Sequence, residues 1–251
     1  VRDLLPIGKT ESMTIEYPRE DVFTNAAAPV AEGALKPESN ITFTAAKADV
    51  ATIAHWLPAS KQILDDAKFL AGYIDSRLRV GLAQEEEDQL LNGDGTGVNM
   101  LGIVPQATAY SATGIPATPN AFDIIRWAKL QVRKSFYSAD AVVLNPEDWA
   151  KMELLKDAEG KYLHSAVTQG AVTRLWGMRV VESDSIPVGD FLVGAFNVAA
   201  QIWDREQANV MVSTEDRDNF VKNMVTIRAE ERLALTVYRT KWSVSCSFAY
   251  S

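Results

Sequence analysis

The chain has 251 residues, 47% of them hydrophobic and 23% charged, with a formal net charge of −8. This length and composition suit one large domain or two small ones around a sizeable core. The acidity argues against a dedicated nucleic-acid-binding module, though not against a container whose inner wall faces DNA. The single cysteine, Cys246, rules out an intrachain disulfide and a cysteine-built zinc site. No apolar run approaches the roughly 20 residues of a membrane span, and no signal peptide opens the chain. Val1 in place of a methionine implies an upstream segment that was cleaved or lies outside the sequence.

Met13, Ile15 and Tyr17 alternate with Ser12, Thr14 and Glu16, the period of a half-exposed strand. From Asn25 to Glu38 small residues dominate, broken by Pro29, Gly33 and Pro37. Ile41, Phe43 and Ala45 then alternate with Thr42 and Thr44, so two strands joined by a long protruding loop are expected. Such a hairpin invites aggregation unless another chain covers it.

Ala67, Leu70, Ile74, Leu78 and Leu82 recur every three or four residues and predict a long helix. Ser60 is placed to cap a first short turn, and Asp65 and Asp66 stand near the helix start. Glu85, Glu86, Glu87 and Asp88 near its end oppose the helix dipole and read as a solvated face, or alternatively as a site for a basic partner segment. Gly93 and Gly95 end it.

Residues 98–118 read as loop. Asn120 is expected to cap a helix carrying Ile124, Ile125, Trp127, Ala128 and Leu130. Ala141 to Leu144 reads as a strand, and Asn145 and Pro146 start another helix. Asp157 to Lys161 reads as a turn, and Leu175 to Val181 and Phe191 to Val193 as strands. This middle region, about 98–205, forms a mixed α/β module. From Val221 to Tyr238 alternation persists, predicting one long strand that pairs with the early strands and leaves the middle module as an insertion.

Enzyme motifs are sparse. Neither His55 nor His164 stands in a recognisable catalytic arrangement, and no Gly-x-Ser-x-Gly elbow occurs. Asn92 to Gly97 lacks the Lys-Ser/Thr of a P-loop and the distal Glu of an EF-hand, and reads as a tight turn.

Five stretches carry a resemblance over essentially the whole chain: Ala34–Ser39 (ALKPES), Thr52–Trp56 (TIAHW), Gln89–Gly97 (QLLNGDGTG), Asp216–Met224 (DRDNFVKNM) and Ala229–Leu235 (AEERLAL). In this order they resemble the major capsid proteins of tailed bacteriophages of the Hong Kong 97 type. The resemblance implies an α+β fold with a peripheral domain (1–24, 55–97 and 206–251), an extended loop (25–54), a long spine helix and an inserted axial domain (98–205). It implies a structural subunit, not a turnover enzyme, that self-assembles into hexamers and pentamers. These build an icosahedral shell in the host cytoplasm around double-stranded DNA, held non-specifically. The implied partners are further copies of the chain, a portal, a scaffolding segment and a maturation protease, with no cofactor, no metal and no membrane.

One branch of that family cross-links its shell. The matching residues are Lys36 as nucleophile, Asn223 as acceptor and Glu230 as general base. The amine would attack the Asn223 amide carbon and release ammonia, leaving an isopeptide bond. A charged ammonium has no lone pair to attack with, so a base must take its proton. Similar motifs occur in members that do not cross-link, where Lys36 and Glu230 would serve only in ion pairs. Arg228, two residues from Glu230 on the same strand face, would either pair with it or repel the lysine. Two other readings stand beside the phage shell: an encapsulin-like compartment enclosing cargo protein, and a soluble α/β hydrolase using His55 or His164.

Overall fold

The computed structural model describes residues 1–62, 68–115, 119–156, 160, 162, 174–239 and 241–247. His164 and the expected helix starters Asp65, Asp66 and Ala67 lie outside them, as does most of the turn expected over Asp157 to Lys161. Among the described residues, two sheets and a ribbon organise the chain. A four-stranded sheet runs β1 (Ile7–Lys9), β10 (Ala200–Ser213), β11 (Met224–Val237) and β4 (Ala51–Ser60). A six-stranded sheet runs β5 (Thr108–Ala109), β12 (Ser243–Ser247), β9 (Asp190–Gly194), β6 (Ala141–Leu144), β8 (Met178–Glu182) and β7 (Arg174–Leu175). The third is the two-stranded ribbon of β2 (Thr14–Thr24) and β3 (Asn40–Asp49).

The long helix α1 (Lys68–Asn92) covers one face of the four-stranded sheet. Strand alternation explains how. Val225, Ile227, Ala229 and Leu233 of β11 and Ile53 of β4 are buried in one core with Leu78, Leu82, Leu90 and Leu91 of α1. The five leucines and two isoleucines among them, each worth about 1.5–3 kcal/mol when fully buried, fix helix on sheet. His55 belongs to this packing: its Nε2 lies 3.0 Å from the Leu78 carbonyl oxygen. Helix α2 (Ile103–Gln106) follows, where a plain loop was expected.

The six-stranded sheet carries a core on each face. Helix α3 (Ala121–Lys134) packs Ile125, Ala128 and Val132 on Val142, Leu144, Phe191 and Val193. Ala141, Val143 and Leu192 point the other way, into the core shared with α1. The expected caps form: Asn120 and Asp123 make a reciprocal capping box, and Asn145 caps α4 (Pro146–Glu153) with Pro146 in its first turn.

Four features differ from the sequence reading. The long final strand starts later, because the four residues of α6 (Asn219–Lys222) precede it. It pairs with β4 and β10, not with the strands around Tyr17 and Phe43. β10, at 14 residues, was not foreseen because two register shifts near Glu206 break its alternation. The stretch expected as one strand from Leu175 is a hairpin, turning at Trp176 and Gly177, both with positive φ. Helix α5 (Phe196–Ala199) leads directly into β10.

Candidate functional site

The ribbon carries Lys36. Its strands pair from Thr14 with Asp49 to Thr24 with Asn40, and Asp21 is the extra residue of a bulge. No residue of either strand is buried. Val22, Phe23, Ile41 and Phe43 are each exposed. The ribbon is tied to the rest of the chain along β2, where Tyr17 packs edge-on against Tyr238, Glu20 N–H donates to the Tyr238 carbonyl and Glu20 pairs with Arg239 at 3.2 Å. In the loop beyond it, Ala26 N–H donates to Ser39 Oγ and Ala27 N–H to Asn25 Oδ1. Leu35, next to Lys36, is 97% exposed. Lys36 is itself exposed.

Asn223 sits where α6 turns into β11, with φ 53° and ψ 42°. Its carbonyl accepts the Lys61 N–H at 3.0 Å, tying the turn to the end of β4. Asparagine tolerates this left-handed backbone better than most residues. The conformation therefore accounts for an asparagine here, but not for its exposed amide.

Glu230 lies on the open face of β11, opposite Ala54 of β4 and Asn209 of β10. Of the two alternatives for Arg228, pairing is the one observed: its Nη2 lies 3.2 Å from Glu230 Oε2 and 3.7 Å from Met211 Sδ. Trp56 stands directly opposite Arg228, 53% exposed, with the Arg217 guanidinium 5.8 Å from its ring centroid. This apolar and cationic surface of Trp56, Met211, Arg217 and Arg228 was not picked out beforehand. The exposed parity of Trp56 and Arg228 in alternating strands was the available signal.

Asn223 and Glu230 are not brought together within one chain. The strand from Met224 to Glu230 separates them, paired with β4 without a register shift. At about 3.3 Å per residue those six steps alone span roughly 20 Å. One lysine can reach both only if different chains supply them.

Asn92 to Gly97 forms the expected tight turn. Asp94 accepts from Thr96 N–H, Thr96 Oγ1–H and Asn99 Nδ2–H. The Thr96 hydroxyl, then its N–H, then Asn99 hold the Asp94 carboxyl at about 2. The acidic run of α1 is not uniformly solvated: Glu86 is 6% exposed and bonded to Arg2. A single helix face cannot expose four consecutive residues, and Glu86 follows Leu82 toward the sheet. No helix among the described residues is long and apolar enough to cross a membrane.

The model of the phage capsid family matches residues 1–242. The chain belongs to the phage capsid family. It is 52% identical over 250 residues to the major capsid protein of Enterobacteria phage HK97, covering 99% of this chain and 65% of that relative's length. Solved structures of this family's fold resemble it at low identity. The capsid of an empty GTA particle superposes with a TM-score of 0.79 at 18% identity, covering 99% of this chain and 89% of that one. A chain of Microbacterium phage Oxtober96 gives 0.74 at 18% identity, covering 98% and 89%. Like these, the capsid-family chain has the α+β fold expected from its sequence.

Proposed function

We propose that the chain is the major capsid protein of a tailed phage, a subunit that assembles with copies of itself into the icosahedral shell of the virion. The observation that carries this reading is the ribbon of β2 and β3, which has no buried residue and extends an apolar loop past any core of its own. An exposed ribbon of 11 and 10 residues is a liability in a monomer and an asset in a shell, where a neighbour covers it. In this reading the four-stranded sheet with α1 is the peripheral domain, the six-stranded sheet the axial domain, and the ribbon the extended loop. Portal, scaffolding segment, protease and packaged DNA complete the partners. Light scattering and electron microscopy of the purified protein test it: closed shells support it, and a stable monomer favours the hydrolase reading instead. Cargo protein rather than DNA inside native particles would favour the encapsulin-like reading.

We also propose that Lys36, Asn223 and Glu230 cross-link the assembled shell, with Asn223 and Glu230 drawn from different subunits. Glu230 takes the ammonium proton of Lys36, and the neutral Nζ then attacks Asn223 Cγ. As the amide C–N bond breaks, a second Nζ proton passes to the leaving nitrogen, which departs as ammonia, and Glu230 releases its proton to solvent. Each site reacts once. Holding the groups at attack distance supplies about 7–11 kcal/mol of the barrier. The Arg228–Glu230 pair joins an exposed arginine to a half-buried carboxylate and is weak, about 0–1 kcal/mol, so that an arriving lysine displaces it at little cost. Mature particles boiled in reducing denaturant give a ladder of multimers if the bond forms. They give a single monomer band if the three residues only hold the interface.

A further inference from the structure

Arg2, in the short 3-10 turn Arg2–Leu4, reaches among three carboxyls carried by three separate elements. Its Nη1 donates to Glu86 of α1, and its Nη2 to Asp204 Oδ2 of β10 at 2.5 Å. Glu231 of β11 faces the same three groups. Glu86, Asp204 and Glu231 are 6%, 7% and 5% exposed. Glu87, next to Glu86, holds the Val1 amino group at 2.8 Å, and that charge also pulls on Glu86. β4 presents Ile53 opposite Glu231, with His55 on the same face and its Nε2 3.0 Å from the Leu78 carbonyl oxygen, and Arg232 lies on the other face of β11.

The arginine's two arms satisfy Glu86 and Asp204. Glu231 Oε1 is shielded from solvent and has no hydrogen-bond partner. A third buried carboxylate beside one guanidinium carries an uncompensated charge, which a bound proton removes. Burial first, and the charge of Glu86 next, push Glu231 up to about 7. Burial likewise raises Glu86, against the pull of Arg2.

We propose that Arg2, Glu86, Asp204 and Glu231 form a proton-operated latch joining the N-terminal segment and the long helix to the four-stranded sheet, closed while Glu231 holds its proton and loosened when it ionises. The group's folded value lies above the ordinary 4.5. Its contribution is therefore complete below about 4.5 and is lost as pH rises through about 7. Any opening that hydrates Glu231 becomes about tenfold more populated between roughly pH 6 and pH 8.

Hydrogen exchange of the purified protein reads this out, as protection factors for α1 amides around Glu86 and β11 amides around Glu231. Wild-type protection is expected to fall about tenfold between roughly pH 6 and pH 8. In Glu231→Gln it stays flat. In Glu86→Gln the fall moves to lower pH, because the charge that raises Glu231 is gone. Flat protection in the wild type, an undiminished fall in Glu231→Gln, or an unmoved midpoint in Glu86→Gln overturns the latch. If Glu231→Gln does not fold, the midpoint in Glu86→Gln decides alone.

Discussion

Two chains that cannot cross-link alone are expected to rescue each other when mixed. Asn223→Asp keeps a residue that tolerates the left-handed turn but removes the amide that releases ammonia. Glu230→Gln keeps the size of the base and removes its function. Particles of either variant alone should give only monomer on a boiled denaturing gel. In particles assembled from equal parts of both, a working site needs Asn223 from one variant and Glu230 from the other. The roughly 20 Å of strand between the two positions forces separate chains. Random placement then completes about one site in four. If one chain supplied both groups, no site would be complete. A ladder weaker than that of the wild type supports the reasoning, and monomer alone from the mixture refutes it, given a wild-type ladder as control. Wild-type particles that show no ladder would remove the cross-linking proposal itself.

Leu91→Ala should destabilise the fold by about 3–5 kcal/mol, because the side chain is fully buried in the core that α1 shares with both sheets; denaturant unfolding measures it. Asn120→Ala should cost about 1 kcal/mol by breaking the capping box of α3, with exchange at Asp123 N–H rising first. The Asp94 carboxyl should titrate near 2 by NMR. Because its folded value is depressed, the turn keeps its support above the ordinary carboxylate range and loses it as pH falls through about 2. Thr96→Val should move that titration upward by removing the hydroxyl donor.

Much of the fold was legible because local chemistry and tertiary demand agree. The leucine stripe of α1, the caps at Asn120 and Asn145, and the alternation of β11 each state their own element. β10 was not legible, since its register shifts scramble the period that marks a strand. At the candidate site, motif matching named Lys36, Asn223 and Glu230 but carried no distance, and the separation along β11 is what assigns the last two to different subunits. The Arg228–Glu230 pair could be anticipated, because residues two apart on a strand share a face.

By itself the sequence determined the family, through its ordered blocks, together with the elements whose side-chain period is intact. It also determined that these 251 residues, with one cysteine, form no disulfide among themselves. Only the tertiary structure decided which strands pair, that the ribbon buries nothing of its own, and that Glu86 and Glu231 face each other across Arg2. The reason is separation along the chain. Arg2, Glu86, Asp204 and Glu231 stand far apart in the sequence, and each alone reads as an ordinary surface charge. Packing α1 onto β10 and β11 makes them one buried group, and burial, not residue type, gives Glu231 its hold on a proton.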